Sequence, residues 1–234
     1  RAILQSYYCH YLNKPINKST VFMESRNGNI VADNILILAK EMQNPEYKIK
    51  KIYLAVKKDY WETAKKLCET YHIQVNLIPN SGRQYYRAFA TAKYLFTDTT
   101  FSYNFVKRDG QIIVNTWHGT PIKAMGKFNE NERFDIGNVQ RSFVMSDFIL
   151  CQGDCIKERL SEAYMLKNIF PGKFLMSGFP RNSIFSNTEQ REALRKLLGW
   201  ENKSVCIYMP TFRGMSCQNT GRVPANEEQI KYIE

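Results

Sequence analysis

A single segment, residues 115–123, contains the side chains with the clearest capacity for chemistry (Asn-Thr-Trp-His-Gly-Thr-Pro-Ile-Lys). It follows the apolar run 111–114, which predicts a buried strand, and it turns at Gly119. His118 is therefore expected at the carboxyl end of a strand, where open α/β sheets bind ligands. A histidine in such a place can take up a proton near pH 7. The alternative is a structural histidine whose ring is satisfied by a backbone group.

A helix is expected to follow this histidine directly. Thr120 is a residue type favoured at the N-cap, and Pro121 is favoured at the first helical position. The N-terminus of a helix attracts anions. Lys123 would lie in the first turn, where a cation opposes the helix dipole, so contact with an anion explains it better than a structural role. A solvated surface lysine is the alternative.

A histidine that acts as a base usually has a partner that orients its ring. Glu24 and Asp98 are the candidates, because both are at the ends of predicted strands in the same sheet. Each also has a simpler explanation, since Glu24 can cap a helix and Asp98 can start a turn.

Two arginines occupy comparable places further along the chain. Arg181 follows the predicted strand 174–177, and Arg213 follows the predicted strand 205–209. Arginine is well suited to bind phosphate through two parallel hydrogen bonds. Either residue alone is compatible with the protein surface, but the two together at strand ends favour a site for phosphate or pyrophosphate.

These residues depend on a framework of alternating strands and helices. Strands are predicted at 20–24, 52–56, 75–78, 94–98, 112–114, 148–151, 174–177 and 205–209. Helices are predicted at 35–42, 60–71, 84–92, 138–146, 155–164 and 189–198. The alternation favours βαβ units and a parallel sheet, hence an α/β fold. Neither a Gly-x-Gly-x-x-Gly nor a Walker loop occurs, so an ordinary dinucleotide or P-loop site is not supported.

The sequence predicts three parts. Residues 1–18 contain Tyr7, Tyr8 and Tyr11 together with Arg1, Lys14 and Lys18 and no acidic residue. They form either an interfacial helix on anionic lipid or a linker helix packed on the domain. Residues 19–187 form a Rossmann-like domain with a parallel sheet. Residues 188–234 open a second Rossmann-like domain, because the strand 205–209 cannot form a domain alone. The remainder of that domain is expected beyond residue 234.

Four stretches, in this order, resemble signatures of the CDP-glycerol glycerophosphotransferase family, whose members build teichoic acids and related polyol-phosphate polymers on a membrane lipid. The stretches are 21–25 (Val-Phe-Met-Glu-Ser) with Gly28 and Asp33-Asn34, 117–121 (Trp-His-Gly-Thr-Pro), 177–182 (Ser-Gly-Phe-Pro-Arg-Asn) and 208–213 (Tyr-Met-Pro-Thr-Phe-Arg). The resemblance implies a GT-B-like plan, with a catalytic histidine in the cleft between two domains.

The resemblance also implies an activity. Glycerol phosphate, or a similar polyol phosphate, would move from a CDP-linked donor such as CDP-glycerol to a hydroxyl of a lipid-linked polymer acceptor. His118 would deprotonate that hydroxyl, and Lys123, Arg181 and Arg213 would hold phosphate charge. The residues expected to contact substrate are Glu24, Ser25, Gly28, Trp117, Gly119, Thr120, Lys123, Gly178, Pro180, Arg181, Asn182, Pro210, Thr211 and Arg213.

Charge and composition narrow the range of partners. The 234 residues carry a net charge of +11 and have a pI of about 9.3, which favours nucleic acid, an anionic membrane surface or phosphorylated substrates. No nucleic-acid-binding motif is recognised, so nucleic acid is disfavoured. The six cysteines and three histidines lack the spacing of metal ligands. We therefore predict no metal and no cofactor, and we interpret the cysteines as reduced thiols of a cytosolic protein.

Location and completeness follow from similar considerations. No run of 18 apolar residues occurs, so no transmembrane helix is predicted. Because the implied acceptor is lipid-linked, we expect a peripheral protein on the cytoplasmic face of the cell membrane, and we leave a homo-oligomer open. The family has a second important histidine in its C-terminal domain, whereas no histidine follows His118 here. We therefore expect this piece to be inactive alone.

Two other functions stay open on the sequence. One is a GT-B glycosyltransferase that takes a sugar from a nucleotide donor. The other is a non-catalytic basic module that docks on an anionic membrane or polymer. The sequence does not decide between glycerol and ribitol, between a primase and a polymerase, or between wall teichoic acid and capsule.

Overall fold

A computed structural model describes residues 2–31, 33–104, 106–130 and 136–208, including the side chains from residue 6 onward. The chain divides into two compact units, Arg1–Ser186 and Asn187–Glu234. The second unit is described only as far as residue 208, so the predicted site residues Pro210, Thr211 and Arg213 lie outside the described residues.

The first unit is built on one parallel sheet of seven strands, in the order β3-β2-β1-β4-β5-β6-β7. The strands are β1 Asn17–Glu24, β2 Lys51–Val56, β3 Asn76–Pro79, β4 Ala92–Thr97, β5 Ile112–Asn115, β6 Phe148–Leu150 and β7 Lys173–Leu175. Each of the seven strands predicted before residue 187 corresponds to one of these. The prediction of an α/β fold with a parallel sheet is confirmed.

Helices cross over between the strands and cover the sheet. They are α1 Ala2–Tyr11, α2 Asp33–Glu41, α3 Trp61–Thr70, α4 Gly82–Thr91, α5 Gly137–Met145 and α6 Asp154–Ala163. The second unit contains a helix of its own, α7 Thr188–Leu197. The central strand β1 shows that both faces of the sheet are buried. Val21 and Met23 pack with residues of α2 and α3, whereas Phe22, between them, packs with α1 and α4, as the alternation of side chains along a strand requires.

Helix α1, in the N-terminal segment, packs against the domain. Tyr8 is only 4% exposed and lies in the same cluster as Tyr86 and Phe89 of α4. Its hydroxyl donates a hydrogen bond to the backbone oxygen of Val106. The segment is therefore a helix packed on the domain, which is the second of the two interpretations from the sequence. Among the described residues, no helix is long and apolar enough to cross a bilayer.

Two predicted elements differ from the structure. No helix starts at Thr120, because residues 118–125 form an irregular segment that leads into the short 3₁₀ turn Gly126–Phe128. Residues 205–208 are not in a strand, and residue 209 lies outside the described residues. A strand needs a hydrogen-bonded neighbour, and the described part of the second unit contains no other strand for this segment to pair with.

Candidate active site

The ends of three neighbouring strands define the candidate site. Glu24 at the end of β1 is in register with Thr97 of β4, and Thr97 is in register with Asn115 of β5. The residues that follow these three strands therefore leave the sheet side by side at its carboxyl edge. Parallel α/β sheets bind their ligands at this edge.

His118 lies at this edge with its ring half-buried and its tautomer fixed. Its Nδ1 is 2.8 Å from the backbone oxygen of Asp98. Because a carbonyl oxygen only accepts, Nδ1 carries the proton and donates, which leaves the lone pair on Nε2. No described group forms a hydrogen bond with Nε2. Burial lowers the pKa of His118 below its ordinary value of 6.5 and outweighs the opposing effect of the Asp98 hydrogen bond, so the ring is neutral at pH 7 and able to accept a proton.

The residue before the histidine fixes the direction of the ring. The rings of Trp117 and His118 stack with centroids 4.2 Å apart and planes 28° apart. Trp117 is buried against Phe143 and Tyr164. Its φ of +50° is unusual for a bulky residue. The side chain of Asn115 supports this conformation, because its oxygen accepts a hydrogen bond from the Trp117 amide at 2.9 Å.

Neither predicted carboxylate orients the imidazole. The Asp98 carboxylate is fully buried and accepts hydrogen bonds from Ser25 Oγ at 2.6 Å and from the Arg26 amide at 2.8 Å. Asp98 therefore holds the histidine through its backbone and the loop after β1 through its side chain. Glu24 is 4% exposed and accepts a hydrogen bond from the Tyr85 hydroxyl at 2.5 Å. Burial raises the pKa of Glu24 to about 7, although the Tyr85 hydrogen bond acts in the opposite direction.

The loop after β1 is shaped by contacts with neighbouring loops. Gly28 has a φ of +77°, and a Cβ atom there would lie 2.9 Å from Cβ of Asn80. Its carbonyl oxygen accepts a hydrogen bond from the Lys57 amide at 2.8 Å. A side chain at this position would thus meet the loop after β3. Close packing between loops explains Gly28 in this structure, while its predicted contact with substrate stays a prediction.

Arg181 lies directly beside the histidine. Its Nη1 donates to both oxygens of the Asp33 carboxylate, at 2.7 and 2.9 Å, and to the backbone oxygen of His118 at 3.0 Å. Its guanidinium is 4.9 Å from the ring centre of Phe179, which is buried. Among the described residues, Nη2 and Nε of Arg181 form no hydrogen bond. One edge of the guanidinium is thus used internally, and the other is available to an anion.

The loop that carries Arg181 begins at Gly178, whose φ is +76° and whose amide donates to the Cys151 oxygen at 3.1 Å. It continues into the short 3₁₀ segment Pro180–Ser186, where the Asn182 amide donates to the Phe179 oxygen at 2.9 Å. The loop leaves the sheet after β7, yet Arg181 reaches the loop after β5.

The segment after His118 corrects the prediction for Lys123. The Ile122 amide donates to the Thr120 oxygen at 2.9 Å, in a tight turn, and the Thr120 hydroxyl donates to Gln152 Oε1 at 3.1 Å instead of capping a helix. Lys123 is exposed on this irregular segment. Lys123 is therefore not in the first turn of a helix, and the prediction based on an opposed helix dipole is wrong. Any role of Lys123 depends on its charge alone.

The helix start that does reach the histidine loop belongs to α2. Asn34, in its first turn, donates to the Trp117 backbone oxygen at 3.1 Å. Asn34 and Asp33 were not predicted as site residues. The available signal was a polar Asp-Asn pair at the start of the apolar stretch 35–39, but the pair also fits an ordinary helix start.

Among the described residues, no group of three or more histidine, cysteine or acidic side chains could hold a metal ion.

A parallel sheet with crossover helices and a histidine at its carboxyl edge place the chain among the Rossmann-like α/β proteins. The chain belongs to the family described as CDP-Glycerol:Poly(glycerophosphate) glycerophosphotransferase, whose sequence model matches residues 6–233. The resemblance noted in the sequence is confirmed.

The descriptions of similar proteins are consistent with this family. A teichoic acid poly(glycerol phosphate) polymerase of Bacillus subtilis (strain 168) is 25% identical over an alignment of 222 positions, and the match covers 89% of this chain and 28% of the relative. A polymerase with the same description from Bacillus spizizenii is 27% identical over an alignment of 172 positions, and the match covers 64% of this chain and 42% of the relative. The chain therefore spans less than half the length of these two relatives.

Solved structures give the same architecture. A structure of the wall teichoic acid polymerase TagF superposes with a TM-score of 0.63 and 17% identity, over 83% of this chain and 48% of that one. A variant of that polymerase gives a TM-score of 0.66 over 83% and 47%. At this level of identity the likeness establishes the fold.

Proposed function

We propose that the protein containing this chain transfers glycerol phosphate, or a similar polyol phosphate, from a CDP-linked donor to a hydroxyl of a lipid-linked acceptor. The product would be a teichoic acid or a capsule polymer. Family membership supports the chemistry of the donor and the polymer. The proposal gives His118 the role of general base.

The observation that carries the proposal is the state of the His118 ring. Its Nδ1 proton is held by the Asp98 carbonyl, its pKa is lowered by burial, and its Nε2 has no partner among the described residues. A base whose pKa lies below the operating pH is deprotonated and ready to accept a proton. The carbonyl partner prevents the ring from turning its other nitrogen to the substrate.

The chemical step follows from this geometry. Nε2 of His118 takes the proton from the acceptor hydroxyl as its oxygen attacks the phosphorus atom that carries the glycerol. A new oxygen–phosphorus bond forms, the bond between that phosphorus and the oxygen bridging the two phosphates breaks, and CMP leaves with the electron pair. Such transfers depend on positioning and on stabilisation of phosphate charge, with little covalent chemistry for the protein.

Phosphate charge is met by Arg181 in this proposal. Asp33 and the His118 carbonyl hold Nη1, which aims Nη2 and Nε at a group beside the histidine. The fork of a guanidinium matches two phosphate oxygens. Lys123, on the exposed segment after the histidine, adds a second positive charge. Arg213 is assigned the same role, although it lies outside the described residues.

The acceptor and the net charge also support a peripheral place on the cytoplasmic face of the membrane. A lipid-linked acceptor keeps the reaction at a bilayer surface, and a net charge of +11 favours an anionic surface. Co-sedimentation with vesicles of phosphatidylglycerol, compared with phosphatidylcholine at the same salt concentration, tests this part. Equal recovery with both lipids would contradict it.

The activity itself is tested with the full-length protein. CMP release is measured with CDP-glycerol, CDP-ribitol and a panel of nucleotide sugars, each with and without acceptor. The proposal expects turnover with a CDP-polyol that His118→Ala lowers by about 10²- to 10⁴-fold. Turnover with a nucleotide sugar instead would identify a glycosyltransferase, and full activity of His118→Ala would remove the histidine from the mechanism.

The 234-residue chain by itself is proposed to be inactive. It covers 28% and 42% of the two Bacillus polymerases, and the resemblance to the family implies an additional histidine in the C-terminal domain. Measurable CMP release by the isolated chain would overturn this proposal.

A further inference from the structure

One buried amide connects the two loops that carry His118 and Arg181. Asn34 is fully buried in the first turn of α2. Its Nδ2 donates to the backbone oxygen of Trp117 at 3.1 Å, and its Oδ1 accepts from the backbone amide of Arg181 at 3.2 Å. The donor and the acceptor of a single side chain are thus both used, each on a different loop.

The two contacts bridge parts of the chain that are far apart in sequence. Asn34 is separated from Trp117 by 83 residues and from Arg181 by 147. The loops leave the sheet after β5 and β7, which are separated by β6. Packing in the sheet alone does not fix the distance between such loops, because each loop leaves a different strand. The side-chain amide of Asn34 bonds to both loops and so restrains the distance between them.

Asp33, the residue before Asn34, contacts the side chain of Arg181. Asp33 accepts two hydrogen bonds from Nη1 of Arg181, which also donates to the His118 carbonyl. Asp33 has a φ of +66°, an unfavourable value for a residue with a Cβ atom. The start of α2 therefore contacts the backbone of both loops through Asn34 and the guanidinium through Asp33.

We propose that Asn34 is a positioning residue that sets the His118 ring against the Arg181 guanidinium. This inference rests on the proposed function, in which the histidine accepts the proton and the arginine holds phosphate. Asn34 itself touches neither reacting group. Its loss allows the Trp117–His118 backbone to shift relative to Arg181, so the base and the phosphate site lose their mutual alignment.

Two substitutions separate the two ends of the amide. Asn34→Asp keeps an oxygen that accepts from Arg181 but loses the N–H that donates to Trp117, and Asn34→Ala loses both. Gln111→Ala is the matched control, because Gln111 is also a buried amide and donates to the backbone oxygens of Phe89 and Ala92. Gln111 precedes β5, so its contacts lie at the opposite end of that strand from His118.

The experiment uses the full-length protein and two independent measurements. The first is kcat and KM for CDP-glycerol. The second is the rate at which diethyl pyrocarbonate modifies His118, measured by mass spectrometry of the peptide. For both Asn34 variants we expect a fall in kcat of about 10- to 100-fold, a smaller change in KM and faster modification of His118. Gln111→Ala is expected to lower the melting temperature but to leave kcat within about twofold of the wild type.

The outcomes distinguish failure of the positioning role of Asn34 from failure of the proposed function. Wild-type kcat and modification rate in both Asn34 variants would overturn the positioning role, as would an equal loss of kcat in Gln111→Ala. If His118→Ala keeps full activity, the proposed function fails instead. The modification rate does not depend on catalysis, so it still tests whether Asn34 holds the histidine loop.

Discussion

The imidazole of His118 is held by the backbone carbonyl of Asp98 and not by a carboxylate. A carboxylate partner would raise the pKa of the ring through its charge, whereas the carbonyl contributes a weaker effect that burial exceeds. The ring is therefore predominantly neutral at pH 7. Its hydrogen-bond partner also has no proton of its own to lose or gain.

The first prediction concerns the pH dependence of the reaction. Because only neutral His118 accepts a proton, kcat/KM should fall as pH decreases through the pKa of the folded protein, which lies below 6.5. Activity should thus remain above half its maximum at pH 6.5. The measurement is kcat/KM for CDP-glycerol between pH 5 and 9, which reports the free enzyme. A half-maximal point above pH 7 on the acidic limb would contradict the buried neutral base.

Replacement of the same residue gives the size of its contribution. We expect His118→Ala to lower kcat by about 10²- to 10⁴-fold, the usual range for a general base. His72→Ala is a suitable control, since His72 is an exposed histidine of the same domain. Thermal unfolding of both variants should be recorded beside the kinetics, so that a loss of folded protein is not taken for a loss of chemistry.

The second prediction uses the buried carboxyl of Glu24. Its pKa is 4.5 in an unfolded chain and about 7 in the folded protein. The folded state therefore binds this proton more tightly. The stability associated with it is fully present below pH 4.5 and is lost as pH rises through 7. The loss amounts to roughly 3 kcal/mol in the free energy of unfolding.

Glu24→Gln removes this dependence while it keeps an oxygen that accepts from Tyr85. The variant should resemble the wild type at pH 4.5 and be more stable at pH 8, as measured by urea unfolding at both values. Glu158→Gln, at an exposed position on α6, provides the matched control and should track the wild type. Parallel stability curves for Glu24→Gln and the wild type would show that Glu24 is not a buried protonated group.

The third prediction concerns Arg181. Its free edge is assigned to phosphate, so Arg181→Ala should lower kcat/KM for CDP-glycerol by about 10- to 100-fold, the equivalent of one or two charged hydrogen bonds. Arg181→Lys keeps the charge but not the fork, and it should recover only part of the loss. Arg87→Ala, at an exposed position of α4, should leave kcat/KM unchanged. Wild-type kinetics in Arg181→Ala would assign the residue to structure alone.

The strands were predictable because each is a short apolar run between turn residues. The run 111–114 is an example, and it placed His118 correctly at the carboxyl edge of the sheet. The helix predicted at Thr120 failed because threonine followed by proline fits a turn as well as a helix start. The contact of the Thr120 hydroxyl with Gln152 favours the turn, and a partner 32 residues away has no signature in the local sequence pattern.

The contacts that shape the site were not predictable for a related reason. Asn34 and Arg181 are joined across 147 residues, and the partner of His118 is a backbone atom, which has no signature in the sequence. The sequence identified the histidine and the arginine by residue type and position after a strand. Their relative placement depends on how the loops pack, which residue types alone do not encode.

The fourth prediction concerns Gly126, in the turn Gly126–Phe128 that follows the histidine segment. Gly126 is buried with a φ of +56°, and a Cβ atom there would lie 2.2 Å from the backbone oxygen of Ala163 in α6. Gly126→Ala should lower the free energy of unfolding by about 2–6 kcal/mol, through backbone strain together with overpacking. Urea unfolding of the 234-residue chain measures the change.

Gly137→Ala is the matched control for this substitution. Gly137 begins α5, lacks a positive φ, and no atom of the described residues lies within 4 Å of a Cβ atom built there. The extra methyl group should stabilise the protein by about 0.5–1 kcal/mol, because alanine loses less backbone entropy than glycine in a helix. Equal effects of the two substitutions would mean that the turn at Gly126 is not packed on α6. If the turn is packed there, Gly126→Ala should also displace the histidine segment and accelerate modification of His118 by diethyl pyrocarbonate, whereas Gly137→Ala should not.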